Sequence, residues 1–464
     1  MARHRLPPFM RARHQITRRH FIGASGLLAS AGWLSSSKIP IFSRAYADEM
    51  MEHYKSAAID WRQAEGQSIV LGGLEHPWMN AVQPLLPQFT ELTGIEISAE
   101  LQSESEYTAE IPIKLGGGSA VPDVYMVFSL GQAIEAGWLE PLDQHYGNVD
   151  LFDAAWYEED DIFASARSFP VWHDGERYVM AITAEAQTLF INQPFLDAVG
   201  AAVPTTFDEL YETAVALKND TTAGIAMRAK APDGGPWPAG GFIFSHGGEI
   251  VGADGVVKID SPEAIAAIDM YGKLLRDAGP LGVGNYHWYE CLNDFMTEAV
   301  AIGLDSSNFA TDIANPEKSL VAGNAVYGAM PSSGDKPAKA NMWHWQAGIN
   351  SKSEHKEAAW LFLQWVTSKP TSAQTAAAGL ATPRSSAWQS SGFREAFGEQ
   401  AAEAALANLE GADGDVMKAC WFHPKSGEIL EPFGIGINEV VTGTKDAETA
   451  MKEAAEKANA AIQG

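Results

Sequence analysis

Five short runs set aromatic rings beside planar polar groups: Glu75-His76-Pro77-Trp78, Pro236-Trp237-Pro238, Tyr286-His287-Trp288-Tyr289-Glu290, Trp343-His344-Trp345 and Cys420-Trp421-Phe422. An aromatic face covers the C–H patch of a sugar ring, while carboxylates and amides take its hydroxyls through directional, partly charge-assisted hydrogen bonds. Of the 14 tryptophans only Trp33 precedes residue 48, so the rest of the chain is well supplied for such a surface. A tryptophan is also an ordinary core or rim residue, and each run taken alone carries both readings.

The spacings of the common catalysts and metal sites are missing. The chain has no HExxH, no histidine pair at i and i+4, no GxSxG elbow and no GxxxxGKS/T phosphate loop. Glu158-Glu159-Asp160-Asp161 is a dense acidic run without the spacing or glycine of a calcium loop, and it reads as solvated. No metal or cofactor is expected. An exported carbohydrate-active enzyme stays open as the rival to a binding protein, because it needs two acidic groups across a sugar ring. Glu75 with Glu185 or Asp305 are the residues to supply them.

The elements that must position these residues follow from periodicity. In Asp174 to Asn192 a polar turn leads into the apolar run Tyr178, Val179, Met180 and Ile182, and polar and apolar residues then alternate through Leu189. This pattern predicts a strand or a crossover, and not a helix. If two lobes meet there, Glu185 and Gln187 face a cleft between them, and small-molecule sites favour such interfaces. The alternative is an interior strand of one large domain. Upstream, strands are predicted at 68–71, 95–101 and 123–128, with helices at 82–92, kinked by Pro84 and Pro87, and at 105–115. Strand, helix, strand, helix, strand is the signature of parallel βαβ units. Downstream, Thr206 to Glu209 forms a capping box, Ser261-Pro262 starts a second helix, and 224–227, 300–304 and 325–328 read as strands. Residues 48–67 read as a surface helix or an extension, and the stripe Ala358, Leu361, Phe362 and Trp365 as core.

Length and charge bound the class. A chain of 464 residues suggests two or three domains. The first 47 residues hold eight Lys or Arg and no Asp or Glu; Arg18-Arg19 precedes a mildly apolar stretch, and Ala45-Tyr46-Ala47 is a small-x-small cleavage site. This is the pattern of an export signal, and the paired arginines resemble a twin-arginine signal. Removing those eight from the 32 basic residues leaves 24 against 59 acidic ones, a net charge of −35. Nucleic acid and anionic membrane surfaces are poor partners for such a chain, and no later run is apolar enough to span a bilayer. Cys291 and Cys420 could pair in an oxidising compartment or remain as buried thiols.

Several pieces taken in order resemble the family 1 extracellular solute-binding proteins, the carbohydrate-binding components of ABC importers. They are Asp60-Trp61-Arg62-Gln63 through Val70, His76-Pro77-Trp78, Pro87-Gln88-Phe89 through Ile97, Pro122-Asp123-Val124, Ala136-Gly137-Trp138-Leu139, Asn192-Gln193-Pro194-Phe195, Thr206-Phe207-Asp208-Glu209 and Asn350-Ser351-Lys352-Ser353. The resemblance implies a two-lobed α/β fold similar to maltose-binding protein, each lobe a mainly parallel sheet flanked by helices and joined by hinge crossovers. By position the lobes would be 66–181 with 346–384 and 182–345 with 385–464, after a signal at 1–47 and an N-terminal extension at 48–65. It further implies a periplasmic, monomeric, non-enzymatic protein that holds a sugar, glycoside or polyol in the interlobe cleft and delivers it to inner-membrane permease subunits. The cleft would draw Glu75, His76, Trp78 and Ser129 from the first lobe and Glu185 and Gln187 from the crossover. Trp237, Trp288, Asp305, Trp343 and Trp345 would complete it. The family's crossover usually carries Pro and Asp, where this chain has Ala181-Ile182-Thr183-Ala184-Glu185.

Overall fold

The computed structural model describes residues 44–410, 412 and 414–463. The expected export signal lies outside these residues as far as position 43. Two sheets organise the chain. The first runs in the order β2 (Glu96–Gln102), β1 (Ser68–Leu74), β3 (Val124–Val127), β10 (Gln346–Ile349), β4 (Met180–Ala181). The second runs β6 (Ala223–Ala226), β7 (Val300–Ser306), β5 (Glu185–Asn192), β8 (Ala325–Gly328), with β9 (Met342–Trp343) against the start of β5.

Helices flank both sheets, giving the expected two-sheet α/β fold, but the pairing is mixed and not mainly parallel. β1 pairs parallel with β2 and β3, and β6 with β7. β10 runs antiparallel to β3 and β4, and β5 runs antiparallel to β7, β8 and β9. Parallel neighbours need a long crossover, usually a helix. β5 and β10 instead enter their sheets directly from the other sheet, after only Ile182 to Ala184 and His344 to Trp345.

Local chemistry accounts for the elements. Pro84 and Pro87 divide the first connection into Pro77–Val82, a 3-10 turn Gln83–Leu85 and Leu86–Thr93, which ends at Gly94 in the left-handed region with φ 71°. Ser103 with Glu106 and Thr206 with Glu209 form capping boxes on helices Glu104–Gly116 and Phe207–Leu217. Ser261 caps Pro262–Ala278 by accepting from Ala264 N. The helix Lys356–Val366 buries its aromatic stripe: Phe89 meets Trp365 at 5.3 Å, and Trp360 Nε1 donates to Leu151 O at 3.1 Å.

Residues 48–67 begin as a helix, one of the two expected alternatives, but the segment is anchored by buried aromatic residues. Tyr54, in the last turn of helix Arg44–Lys55, is fully buried, shares a 2.8 Å hydrogen bond with Thr371 Oγ1 and packs on Trp365. Trp61 Nε1 donates to Tyr54 O at 2.8 Å, so the segment is fastened to the helical layer of the first sheet.

The crossings are tied side by side. Ile182 N donates to Trp345 O at 2.7 Å and Ala184 N to Ala381 O at 2.8 Å. His344, fully buried, donates from Nδ1 to Thr183 O at 2.9 Å and accepts at Nε2 from Ser165 Oγ at 3.0 Å. Burial pushes its imidazole down to about 4, so it works here as a neutral strut. The acidic run is solvated at Glu158, Glu159 and Asp160, as expected, and is also held in place by ion pairs. Glu158, Glu159 and Asp160 pair with Lys369, Arg177 and Arg167, and Asp161 accepts from Ser385 and Ser386. Behind it the buried Arg384 donates to the carbonyls of Thr367, Glu158 and Tyr157.

The disulfide left open by the sequence does not form. Cys291 is a buried thiol against Ala226 and Val300, whereas Cys420 is buried in the main core. They belong to separate hydrophobic clusters.

Candidate functional site

The site grows from the place where β1, the first crossing and β7 converge. Glu185, the first residue of β5, is nearly buried, with 6% of its surface exposed. Ser306 Oγ donates to its Oε2 at 2.6 Å and Thr183 Oγ1 to its Oε1 at 3.1 Å. Burial raises its carboxyl from 4.5 to about 7, against the pull of the Ser306 and Thr183 hydroxyls, the Arg228 charge and the Asn308 amide.

His76 comes from the other sheet, two residues after β1. It caps helix Pro77–Val82 by accepting at Nδ1 from Trp78 N at 3.1 Å, which leaves the ring proton on Nε2. That nitrogen lies 3.7 Å from Glu185 Oε1. Burial pushes the imidazole down to about 3, so the contact joins a neutral ring to a carboxyl group and is not an ion pair. An aromatic wall continues from His76 to Trp345 at 5.4 Å, and from Trp345 to Trp343 at 5.5 Å and Phe128 at 6.1 Å. Trp343 is the cross-strand neighbour of Glu185, which places both on one face of the ribbon.

A second polar centre lies at the end of β7. Asp305, 1% exposed, holds Arg228 in a two-point pair in which Arg228 Nε donates to Oδ2 at 2.7 Å and Nη2 to Oδ1. The Ser306 amide also donates to Asp305, at 2.7 Å. The guanidinium lies over the Trp237 ring at 5.0 Å, and Trp237 Nε1 donates to Met342 O at 3.2 Å. Trp288 stacks on Phe309, which closes the turn after β7. Glu104, at the start of its helix beyond β2, faces this centre from the first sheet's side. Burial raises its carboxyl, while the Arg228 charge and the Trp288 indole N–H oppose the rise.

The sequence-predicted residues therefore divide. His76, Glu185, Trp343 and Trp345 form one connected group, and Trp237, Trp288 and Asp305 surround Arg228. Glu75 is exposed beside His76, with its backbone N–H donating to Gln102 O at 2.8 Å. Ser129 is half-buried at the start of helix Leu130–Glu135, next to Phe128.

Two expectations need correction. Trp78 is 1% exposed and belongs to the core packed around the first sheet, because it lies on the inward side of its short helix. Gln187 is fully buried: its Nε2 donates to Pro238 O at 2.8 Å and its Oε1 accepts from Asn341 N at 3.4 Å. Its amide ties β5 to helix Pro236–Ser245, whose Gly241 leaves room for it, since a Cβ there would meet Oε1 at 1.9 Å.

Arg228, Ser306 and Glu104 were missed. Arg228 follows a four-residue strand in a run with no periodic signature, Ser306 looks like any strand-end serine, and Glu104 reads as a helix-start carboxylate. Among the described residues no group of three or more His, Cys, Asp or Glu could hold a metal. A cavity bordered by Phe244, Lys339, Asn341, Met417 and Cys420 is lined by none of the Glu185 group.

Comparison with known proteins agrees with this architecture. A family model described as bacterial extracellular solute-binding protein matches residues 72–373. The erythritol/L-threitol-binding protein of Mycolicibacterium smegmatis is 27% identical over 379 residues, covering 76% of this chain and 78% of that protein. A probable amino-acid ABC transporter periplasmic-binding protein of Sinorhizobium fredii is 24% identical over 358 residues, 74% of this chain and 76% of its own. Among solved structures, an ABC transporter solute-binding protein of Agrobacterium radiobacter in complex with ribitol superposes with a TM-score of 0.76 at 22% identity, covering 85% of this chain and 99% of that one.

Proposed function

The chain belongs to the bacterial extracellular solute-binding proteins, and on that premise we propose that it captures a small neutral polyol or sugar between its two sheets for an ABC importer. The observation that carries this reading is the approach of His76, from the first sheet, to the Glu185–Ser306 pair of the second. A carboxyl group with hydroxyl donors, a neutral imidazole and a wall of indoles suits a ligand that is uncharged and rich in hydroxyls. The similarity to an erythritol/L-threitol-binding protein supports the polyol class.

In this reading the lobes run 66–181 with 346–384 and 182–345 with 385–464, and the tied crossings act as the hinge. A ligand that touches both lobes binds the closed form better and shifts the equilibrium toward it by that difference in affinity. Permease subunits then read the closed form of a monomer, and no bond is made or broken. Asp305, engaged by Arg228 and the Ser306 amide, is poorly placed to serve as a glycosidase acid or nucleophile. Among the described residues no helix is long and apolar enough to cross a membrane. With the basic leader, this supports a periplasmic protein exported by the twin-arginine route.

A thermal-shift screen of the mature protein against erythritol, L-threitol, ribitol, D-mannitol, maltose and a set of amino acids tests the reading, with the same mixtures assayed for products. A bound ligand raises the melting temperature according to RT ln(1 + [L]/Kd), which at 100 times Kd is about 2.7 kcal/mol. Stabilisation by one or more polyols without turnover is expected. Stabilisation by amino acids alone, or product formation from a sugar, contradicts it.

A further inference from the structure

Resting on the polyol reading above, we propose that Asn308 selects the ligand by binding a pair of hydroxyls on adjacent carbons. Asn308 lies in the turn Ser307–Phe309 directly after β7. It is 8% exposed, and neither Nδ2 nor Oδ1 has a hydrogen-bond partner. Buried primary amides are rarely left in that state.

The rest of the turn is engaged. Asp305 holds Arg228, and Ser306 Oγ donates to Glu185. Ser307 Oγ accepts from Ala186 N at 3.2 Å, and Phe309 stacks on Trp288 at 5.5 Å. The backbone N–H of Asn308 itself donates to Ser306 Oγ at 3.2 Å. Its side chain has no partner at hydrogen-bond distance, but its amide lies near enough to Glu185 to act as a weak donor that favours the ionised carboxylate. On the other side of Glu185, the cross-strand neighbour Trp343 has a buried Nε1 that also lacks a partner.

An acceptor without a partner on Asn308, an amide that reaches Glu185 only weakly and an unpartnered indole donor on the cross-strand neighbour thus belong to residues grouped with one carboxyl group. An anionic ligand would be repelled by Glu185, and an ammonium would leave the Trp343 and Asn308 N–H groups without acceptors. Two vicinal hydroxyls meet the whole set. One oxygen accepts from Asn308 Nδ2, and the neighbouring O–H donates to Oδ1. A site built this way discriminates strongly against an analogue that lacks the hydroxyl.

The test is titration calorimetry of the mature protein with erythritol and with butane-1,4-diol, which has no vicinal hydroxyls, in the wild type, Asn308→Ala and Asn308→Ser. Erythritol is expected to bind the wild type at least 100-fold more tightly than butane-1,4-diol, and at least tenfold more weakly to Asn308→Ala. The unliganded melting temperature of Asn308→Ala should stay close to that of the wild type, because the removed amide makes no close hydrogen bond. If Asn308→Ala melts early, Asn308→Ser supplies the affinity comparison. Erythritol affinities within twofold of the wild type in both variants, or butane-1,4-diol within tenfold of erythritol in the wild type, overturn the inference while leaving the polyol reading intact. A wild type that binds no polyol overturns both.

Discussion

Glu185 carries the sharpest consequence at the scale of single residues. Its folded carboxyl ionises near 7 against 4.5 outside the fold, chiefly because of burial. Between these two values the unfolded chain has lost its proton and the native state retains it, so native stability from this group is greatest below about 4.5 and declines as pH rises to about 7. Glu185→Gln does not ionise. Its melting temperature relative to the wild type should climb between pH 5 and pH 8, by an amount corresponding to roughly 1–3 kcal/mol. A difference that stays flat with pH would show that the carboxyl is not desolvated. Asp305→Asn should act oppositely in kind: it leaves the Arg228 guanidinium buried without its counter-charge, at a cost of about 3–5 kcal/mol read from the urea midpoint. A change under 1 kcal/mol would mean the pair is solvent-screened. The sequence marks Glu185 because it lies on the alternating run 174–192, whereas it offers Asp305 as a cleft residue only through the family resemblance. It misplaces Trp78 and Gln187 because an aromatic or amide on the right element has the same signature whether it faces a ligand or a neighbouring helix. Arg228 and Asn308 lie in turns, where no periodicity marks them.

Elements were legible where their chemistry is local. The capping box at Thr206 and the Ser261-Pro262 start sit at the beginnings of the helices they predict. What local patterns do not encode is direction. β5 reads as a strand or a crossover and β10 is not predicted as a strand, and the direct entry of both from the opposite sheet makes their pairing antiparallel. The same non-local packing decides the cysteines. Helix Trp288–Met296 keeps Cys291 against β6 and β7, while the turn Met417–Trp421 keeps Cys420 in another cluster. Burial raises both thiols, which makes them poor nucleophiles in the folded state. A thiol-reactive dye at pH 8 should therefore label neither cysteine in the native protein within minutes, and both after denaturation in guanidinium without reductant. No labelling in either state would mean that a disulfide exists.

At the scale of the whole molecule, composition identified an acidic chain, the alternation of strands and helices identified an α/β fold, and the ordered fragments from Trp61 to Ser353 identified the family. The convergence of both sheets on Glu185 was legible only in part, since it depends on three crossings tied by His344, Ala381 and Trp345. In the proposed reading capture and closure become one event, because a ligand seated on Glu185 would also meet His76 from the opposite sheet. The most direct measurement is a calorimetric titration of the wild type and Glu185→Ala, side by side, with whichever polyol most raises the wild-type melting temperature. The account predicts one ligand per wild-type chain and a loss of at least tenfold in affinity for a folded Glu185→Ala. Equal affinities in the two proteins would place the ligand elsewhere and contradict it.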